Sequence, residues 1–153
     1  MLILLIFGIV AAGIISLFFL VQLTKRRNLE ATRSAFIASG ILDTLKVENG
    51  HGSLRFPSGM TNGTPIWELF NPTARKVVSI LFDSSCHPMR VIPTEEADLP
   101  QLDPYASSVV TLDLSPNTPP LSSFNVEVDV ASPASVTSAK RSVQQFVRLI
   151  TIP

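Results

Sequence analysis

The densest set of reactive side chains is Asp83-Ser84-Ser85-Cys86-His87, closed by Pro88. A cysteine beside a histidine becomes a nucleophile when the imidazole reaches the thiol and draws off its proton. Neighbours within a tight turn rarely meet in that geometry, and no oxyanion-hole motif accompanies them. The stretch therefore reads as a turn. His51, between Gly50 and Gly52, reads as a loop histidine, and two separated histidines with one cysteine do not supply zinc-site spacing. Glu95, Glu96, Asp98 and Asp103 offer oxygens of the kind calcium takes, roughly six to eight at a time. Their spacing matches no calcium loop, and Pro100 and Pro104 stiffen the segment, so it reads as a solvated acidic loop. Asn62-Gly63-Thr64 satisfies the glycosylation triplet, with Pro65 directly behind it. Arg33, Arg55, Arg75, Arg90, Arg141 and Arg148 are scattered, and no phosphate-cradling glycine loop, nucleophile elbow or basic–aromatic RNA motif occurs. These residues give no catalytic, cofactor-binding or metal site. They predict a chain that is not an enzyme, needs no cofactor and has no nucleic-acid partner.

The element that organises the chain is 1–24, MLILLIFGIVAAGIISLFFLVQLT, which carries no charged side chain. As a helix it spans roughly 36 Å, enough to cross a hydrocarbon layer of about 30 Å. A lone apolar segment satisfies its backbone in lipid only as a helix. Lys25, Arg26 and Arg27 end the run, and three successive cations mark a membrane surface. The run is too long for a signal peptide, with no basic residue before it and no Ala-x-Ala-like cleavage site ahead of the cations, so the segment is expected to stay as a single-pass anchor.

Beyond the anchor, roughly 125 residues suffice for one modest domain. Twelve Lys and Arg balance 12 Asp and Glu, so no net charge favours nucleic acid. A single cysteine excludes an internal disulfide, and 12 prolines argue for short strands and many loops.

The helix is predicted to continue to about Glu48, since 28–47 holds no proline and Asn49-Gly50 supplies a stop. Leu29, Thr32, Phe36, Gly40, Ile37, Ile41 and Leu45 form its apolar stripe. After a loop with a short strand at 53–56, 65–70 reads as one helical turn capped by Thr64, with Trp67 and Phe70 as core plugs. Strands are expected at 76–82, 89–92, 108–114, 124–130 and 143–152. The clearest alternates Phe124, Val126, Val128 and Val130 inward with Asn125, Glu127 and Asp129 outward. Short connections make the sheet antiparallel, with one wet face. The parts are thus a transmembrane helix at 1–24, its amphipathic continuation at 25–48 and an antiparallel sheet domain at 49–153. Packing the helix stripe on the sheet's apolar face gives an α+β fold.

In this order of parts the chain resembles a type IV pilin-like protein, or pseudopilin, nearest in kind to the Verru_Chthon cassette protein B type. The resemblance rests on MLILLIFGIVAAGI, on NLEATRSAFIASGILDTLK, on the strand–turn piece ILFDSSCHPMRV and on the closing strands FNVEVDVASP and VQQFVRLITI. It implies a structural subunit of a type II secretion or type IV pilus-like assembly, with the lipid bilayer and other pilin-like subunits as partners through the N-terminal helix. Such subunits begin with a basic leader ending in Gly, then Phe and an early Glu. No leader, Gly–Phe junction or early Glu occurs here, which implies either a start upstream of Met1, the reading preferred, or a relative that is not processed. The expected setting is the bacterial inner membrane with the domain in the periplasm. Taken from Met1 alone, Lys25-Arg26-Arg27 would place the domain in the cytoplasm.

Within the span, Gly8 and Ala12 form a small-xxx-small pair, with Ser16 one turn on, and let helix backbones approach closely. The rival reading is a stand-alone, membrane-tethered binding domain.

Overall fold

In a computed structural model of the chain, residues 2–45, 47–48, 53–70, 74–99, 103–117 and 123–151 are described. Helix α1 runs Leu2–Thr44. Eight strands follow: β1 Val47–Glu48, β2 Ser53–Thr61, β3 Thr64–Phe70, β4 Lys76–Asp83, β5 Pro88–Ile92, β6 Ala106–Pro116, β7 Ser123–Ser132 and β8 Ser142–Thr151. Short 3-10 turns lie at Thr94–Asp98 and Ser138–Lys140. The chain divides into two compact units, Met1–Arg33 and Ser34–Pro153, each described by itself.

The first unit is helix throughout its described residues. Among the described residues α1 is the one helix long and apolar enough to cross a membrane. Its described side chains are exposed from Ile6 to Glu30 except for Ala11, and the apolar ones point to all sides. A water-soluble helix keeps a polar face, and the part of this stretch before Lys25 has none.

The second unit is α+β and built on antiparallel sheet. Five strands pair in the order β5-β4-β6-β7-β8, and three in the order β1-β2-β3. Period-two alternation sets the register: Leu112 lies between Val78 and Val128, and Leu114 between Lys76 and Val126. One face of the larger sheet buries Val78, Ile80, Phe82, Val110, Leu112, Leu114, Phe124, Val126, Val128 and Val130 in one cluster with Ile37, Ala38, Ile41 and Leu45 of α1. Each of the Val, Ile, Leu and Phe side chains contributes about 1.5–3 kcal/mol on leaving water. Arg148 of β8 closes the helix end. It donates to the Leu42 carbonyl at 3.1 Å and lies 3.6 Å from Asp43, a cation where a helix C-terminus is negative.

The structure departs from the sequence expectations in five places. The helix stops at Thr44 rather than Glu48, because Val47 and Glu48 pair with Leu54 and Ser53. The Asn49-Gly50 stop lies outside the described residues. The stripe is narrower than expected: Ser34, Ile37, Ala38, Ile41 and Leu45 are buried, but Leu29, Thr32, Phe36 and Gly40 are exposed. Residues 65–70 form a strand, not a helical turn. Asn62 and Gly63 both have positive φ, 51° and 80°, as a two-residue hairpin loop requires, and this turns β2 straight back into β3. Trp67 is half-exposed, and the Phe70 side chain lies outside the described residues. There are two sheets rather than one. Finally, the second face of the larger sheet is not simply wet. Leu81, Ile92, Ala97, Ala106, Val109 and Ala134 form a second core there, under the turn at Thr94–Asp98 and the segment after β7.

Candidate functional site

Gly8, Ala12 and Ser16 recur at intervals of four on α1, so they fall on one face, and all three are exposed. A Cβ added at Gly8 would meet nothing within 4 Å. The Ser16 hydroxyl donates to the Ala12 carbonyl at 2.9 Å, and Thr24 and Thr32 do the same to Leu20 and Asn28 at 2.9 and 2.8 Å. Each hydroxyl thus satisfies itself within the helix, which for Ser16 and Thr24 spares the apolar run an unpaired donor in lipid. Lys25, Arg26 and Arg27 are exposed at the end of the uncharged run. This surface can anchor in hydrocarbon and admit a close neighbour.

Among the described residues the reactive set at 83–87 is spent on its own turn. Asp83 organises its turn: one carboxylate oxygen accepts from the backbone N–H of Ser85 and of His87, both at 2.8 Å, and its carbonyl accepts from the Cys86 N–H at 3.2 Å. Cys86 has a φ of 64°, and His87 Nδ1 lies 3.6 Å from Asp83. The imidazole therefore faces the carboxylate. His51 lies outside the described residues. Among the described residues no group of three or more His, Cys, Asp or Glu side chains is placed to hold a metal ion. Asp103 accepts from the Tyr105 N–H at 3.0 Å, and the Arg141 guanidinium donates to the Leu99 carbonyl at 2.7 Å and to the Ala97 carbonyl. A cation already holds the near end of the acidic segment. Asn62 stands exposed at the β2–β3 hairpin tip.

No protein-family model, curated protein or solved structure matches the chain.

Three features escaped the sequence reading. The first is a polar row across the outer face of the larger sheet, Ser79–Thr111–Asp129–Gln145. Within it the Ser79 hydroxyl and one Asp129 oxygen are buried without a hydrogen-bond partner. Burial, and then the neighbouring Glu127, push the Asp129 carboxyl above its usual range. Nearby, Asp113 is held low by the Arg75 guanidinium, which donates to both its oxygens at 3.0 and 3.1 Å. The second is an apolar cleft of about 180 Å³ lined by Phe36, Ile41, Trp67, Ile80, Phe82 and Cys86, among others. The third is the long outer edge of β8. Only register could have revealed the row and the edge, and only tertiary packing the cleft.

Proposed function

We propose that the chain is a structural, membrane-anchored subunit of pilin-like (pseudopilin) type. Its α1 sits in the bacterial inner membrane as a single span and associates sideways with the helices of like subunits, while the sheet unit stands in the periplasm. The observation that carries this reading is the contrast along α1: all-round apolar exposure with a small-residue face at Gly8, Ala12 and Ser16, then a one-sided stripe buried in a sheet. In lipid, helices gain nothing from leaving water, so packing of small residues is what holds them together. Lys25, Arg26 and Arg27 meet the headgroups. The sheet unit offers surface to neighbouring subunits or cargo, and the chain works without cofactor or catalysis.

The test is disulfide crosslinking in native membranes. With Cys86 replaced by Ser, single cysteines at Ile15 and Phe19 should yield disulfide-linked dimers of the chain, whereas a cysteine on the opposite face at Leu17 should yield far fewer. Uniform absence of crosslinks would reduce α1 to a tether and favour a stand-alone binding domain.

A further inference from the structure

We propose that the outer edge of β8 is a strand-docking site, taking an extended, basic segment of a partner polypeptide as a sixth strand of the larger sheet. The two edges of that sheet are built differently. β5 is five residues long, begins at Pro88, has a register shift against β4 and lies beside β2 and β3. Those are the devices by which proteins protect a sheet edge. β8 has none of them. It is ten residues long, its register with β7 is unbroken, and it holds neither proline nor glycine. Among the described residues no strand pairs with its outer side. Its one charged residue, Arg148, is engaged with Leu42 and Asp43 of α1. A row of backbone donors and acceptors is thus left open along a regular strand, and an extended peptide is the group that matches it.

The side chains define the occupant further. Val143, Val147 and Leu149 stand outward and are 56, 64 and 57 % exposed. An added strand would place alternate residues beside them, the arrangement in which cross-strand apolar pairs stabilise a sheet. One strand further in, β7 carries Glu127 and Asp129 on the same face. Glu127 accepts from Gln145 and lies in the field of Arg75, which is bonded to neighbouring Asp113; one buried Asp129 oxygen has no partner, and Asp113, Glu127 and Asp129 together outnumber that cation. Strands lie about 4.8 Å apart, so Lys or Arg on the added strand spans the roughly 10 Å to this pair once both side chains extend. A second copy of β8 does not suit, because its outward residues Val143, Gln145, Val147, Leu149 and Thr151 include no base. The occupant is a strand whose outward side chains, every second residue, include both apolar and basic ones. This inference stands whether or not α1 associates with other helices.

The experiment uses the full chain in zwitterionic micelles. The probe is a labelled ten-residue peptide of sequence Thr-Val-Thr-Lys-Thr-Val-Thr-Lys-Thr-Val, whose Val and Lys side chains share one face of the strand. Two controls accompany it: the same peptide with Glu for Lys, and the Lys peptide N-methylated at alternate amides. Anisotropy should show the Lys peptide binding at least tenfold more tightly than either control, and hydrogen exchange should slow within 142–151. Glu127→Gln with Asp129→Asn should remove most of the preference for Lys over Glu, and Val147→Lys should weaken binding. Equal binding of the Lys and Glu peptides, or unchanged exchange in β8, would overturn the proposal. So would concentration-dependent protection of β8 without peptide, which would assign the edge to a second copy.

Discussion

Ile14 and Ile41 carry the same side chain in the same helix, yet Ile14 is 63 % exposed and Ile41 4 %. Backbone hydrogen bonding does not distinguish them. Their neighbours in sequence do. Around Ile14 every position is apolar or small, so no face of the helix is left for water. Around Ile41 the buried positions Ser34, Ile37, Ala38 and Leu45 make one stripe, with Ser39, Asp43 and Thr44 exposed beside it. A one-sided stripe is solved by one packing partner, here the faces of β4, β6 and β7. An all-round apolar surface has no such solution in water and needs a solvent that is itself apolar. One helix therefore answers to two media, and the same mutation should mean different things in its two parts.

The largest expected effect is at the buried part. Ile41→Ala should cost about 2–5 kcal/mol in the unfolding of the sheet unit, from lost transfer energy and the cavity left behind. Ile14→Ala should change the same transition by less than ~0.5 kcal/mol. Denaturant unfolding of the full chain in micelles, followed at Trp67, reads both, and equal losses would erase the contrast. Slightly smaller is the cost of a charge in the exposed part. Ile14→Asp should disfavour membrane insertion by about 3 kcal/mol, as a carboxylate near a span centre does, while leaving the sheet transition in place. An insertion assay that scores wild type and variant alike would show that 1–24 does not lie in hydrocarbon.

The sheet faces give a gentler version of the same contrast. Val128 is wholly buried against the α1 stripe, and Val128→Ala should cost on the order of 1–3 kcal/mol. Glu127, its neighbour on the other face, should tolerate Gln within ~0.5 kcal/mol. The smallest effect is the pH response of that outer face. The Asp129 carboxyl is raised by burial, so the folded state keeps its proton to higher pH than the unfolded chain. Its contribution is full below the unfolded pKa of about 3.9 and is lost as pH rises through the folded value. Asp129→Asn should therefore raise stability at neutral pH, by less than ~1 kcal/mol because solvent screens a part-exposed carboxylate. Asp113, lowered chiefly by its bond to Arg75, has the opposite sign: its contribution is present above the unfolded pKa and fades as pH falls through the folded value. Melting curves of Asp129→Asn and Asp113→Asn between pH 3 and pH 8, roughly the window these signs concern, should approach wild type at the acid end and part from it toward neutral pH in opposite directions, Asp129→Asn above wild type and Asp113→Asn below.

Much of the fold was legible because two periodicities carry it. The long uncharged run and the alternation through Phe124, Val126, Val128 and Val130 each have one physical solution, and the structure adopts both. Failures came where local signals competed. Thr64-Pro65 looks like a helix start, but Asn62-Gly63 just before it is a stronger hairpin signal, and strand pairing with β2 decides the matter. Leu29 and Phe36 sit one position off the buried stripe, a rotation that only the packed sheet fixes. The reactive turn was read correctly as a turn, since Asp83 spends its oxygens on backbone N–H groups. Arg148 and Arg141 looked like scattered cations. Each in fact holds carbonyls far away in sequence, at Leu42 and at Ala97 and Leu99. Such long-range pairing leaves no trace in spacing. The open edge of β8 was hidden for the same reason, because strand order is set by the whole sheet.

The central claim is that the exposed part of α1 is an assembly surface and not only an anchor. The most direct measurement compares insertion with association in one variant, Gly8→Leu with Ala12→Leu, in the Cys86→Ser background with a cysteine at Ile15. Leucine is at least as apolar as the residues it replaces, so insertion should be unchanged. Its bulk should hold neighbouring backbones apart, and since packing of small residues is what joins helices in lipid, disulfide crosslinks between spans should fall several-fold. Intact insertion with markedly fewer crosslinks is the predicted result. Crosslinks at the wild-type level in a fully inserted double-leucine chain would contradict the account.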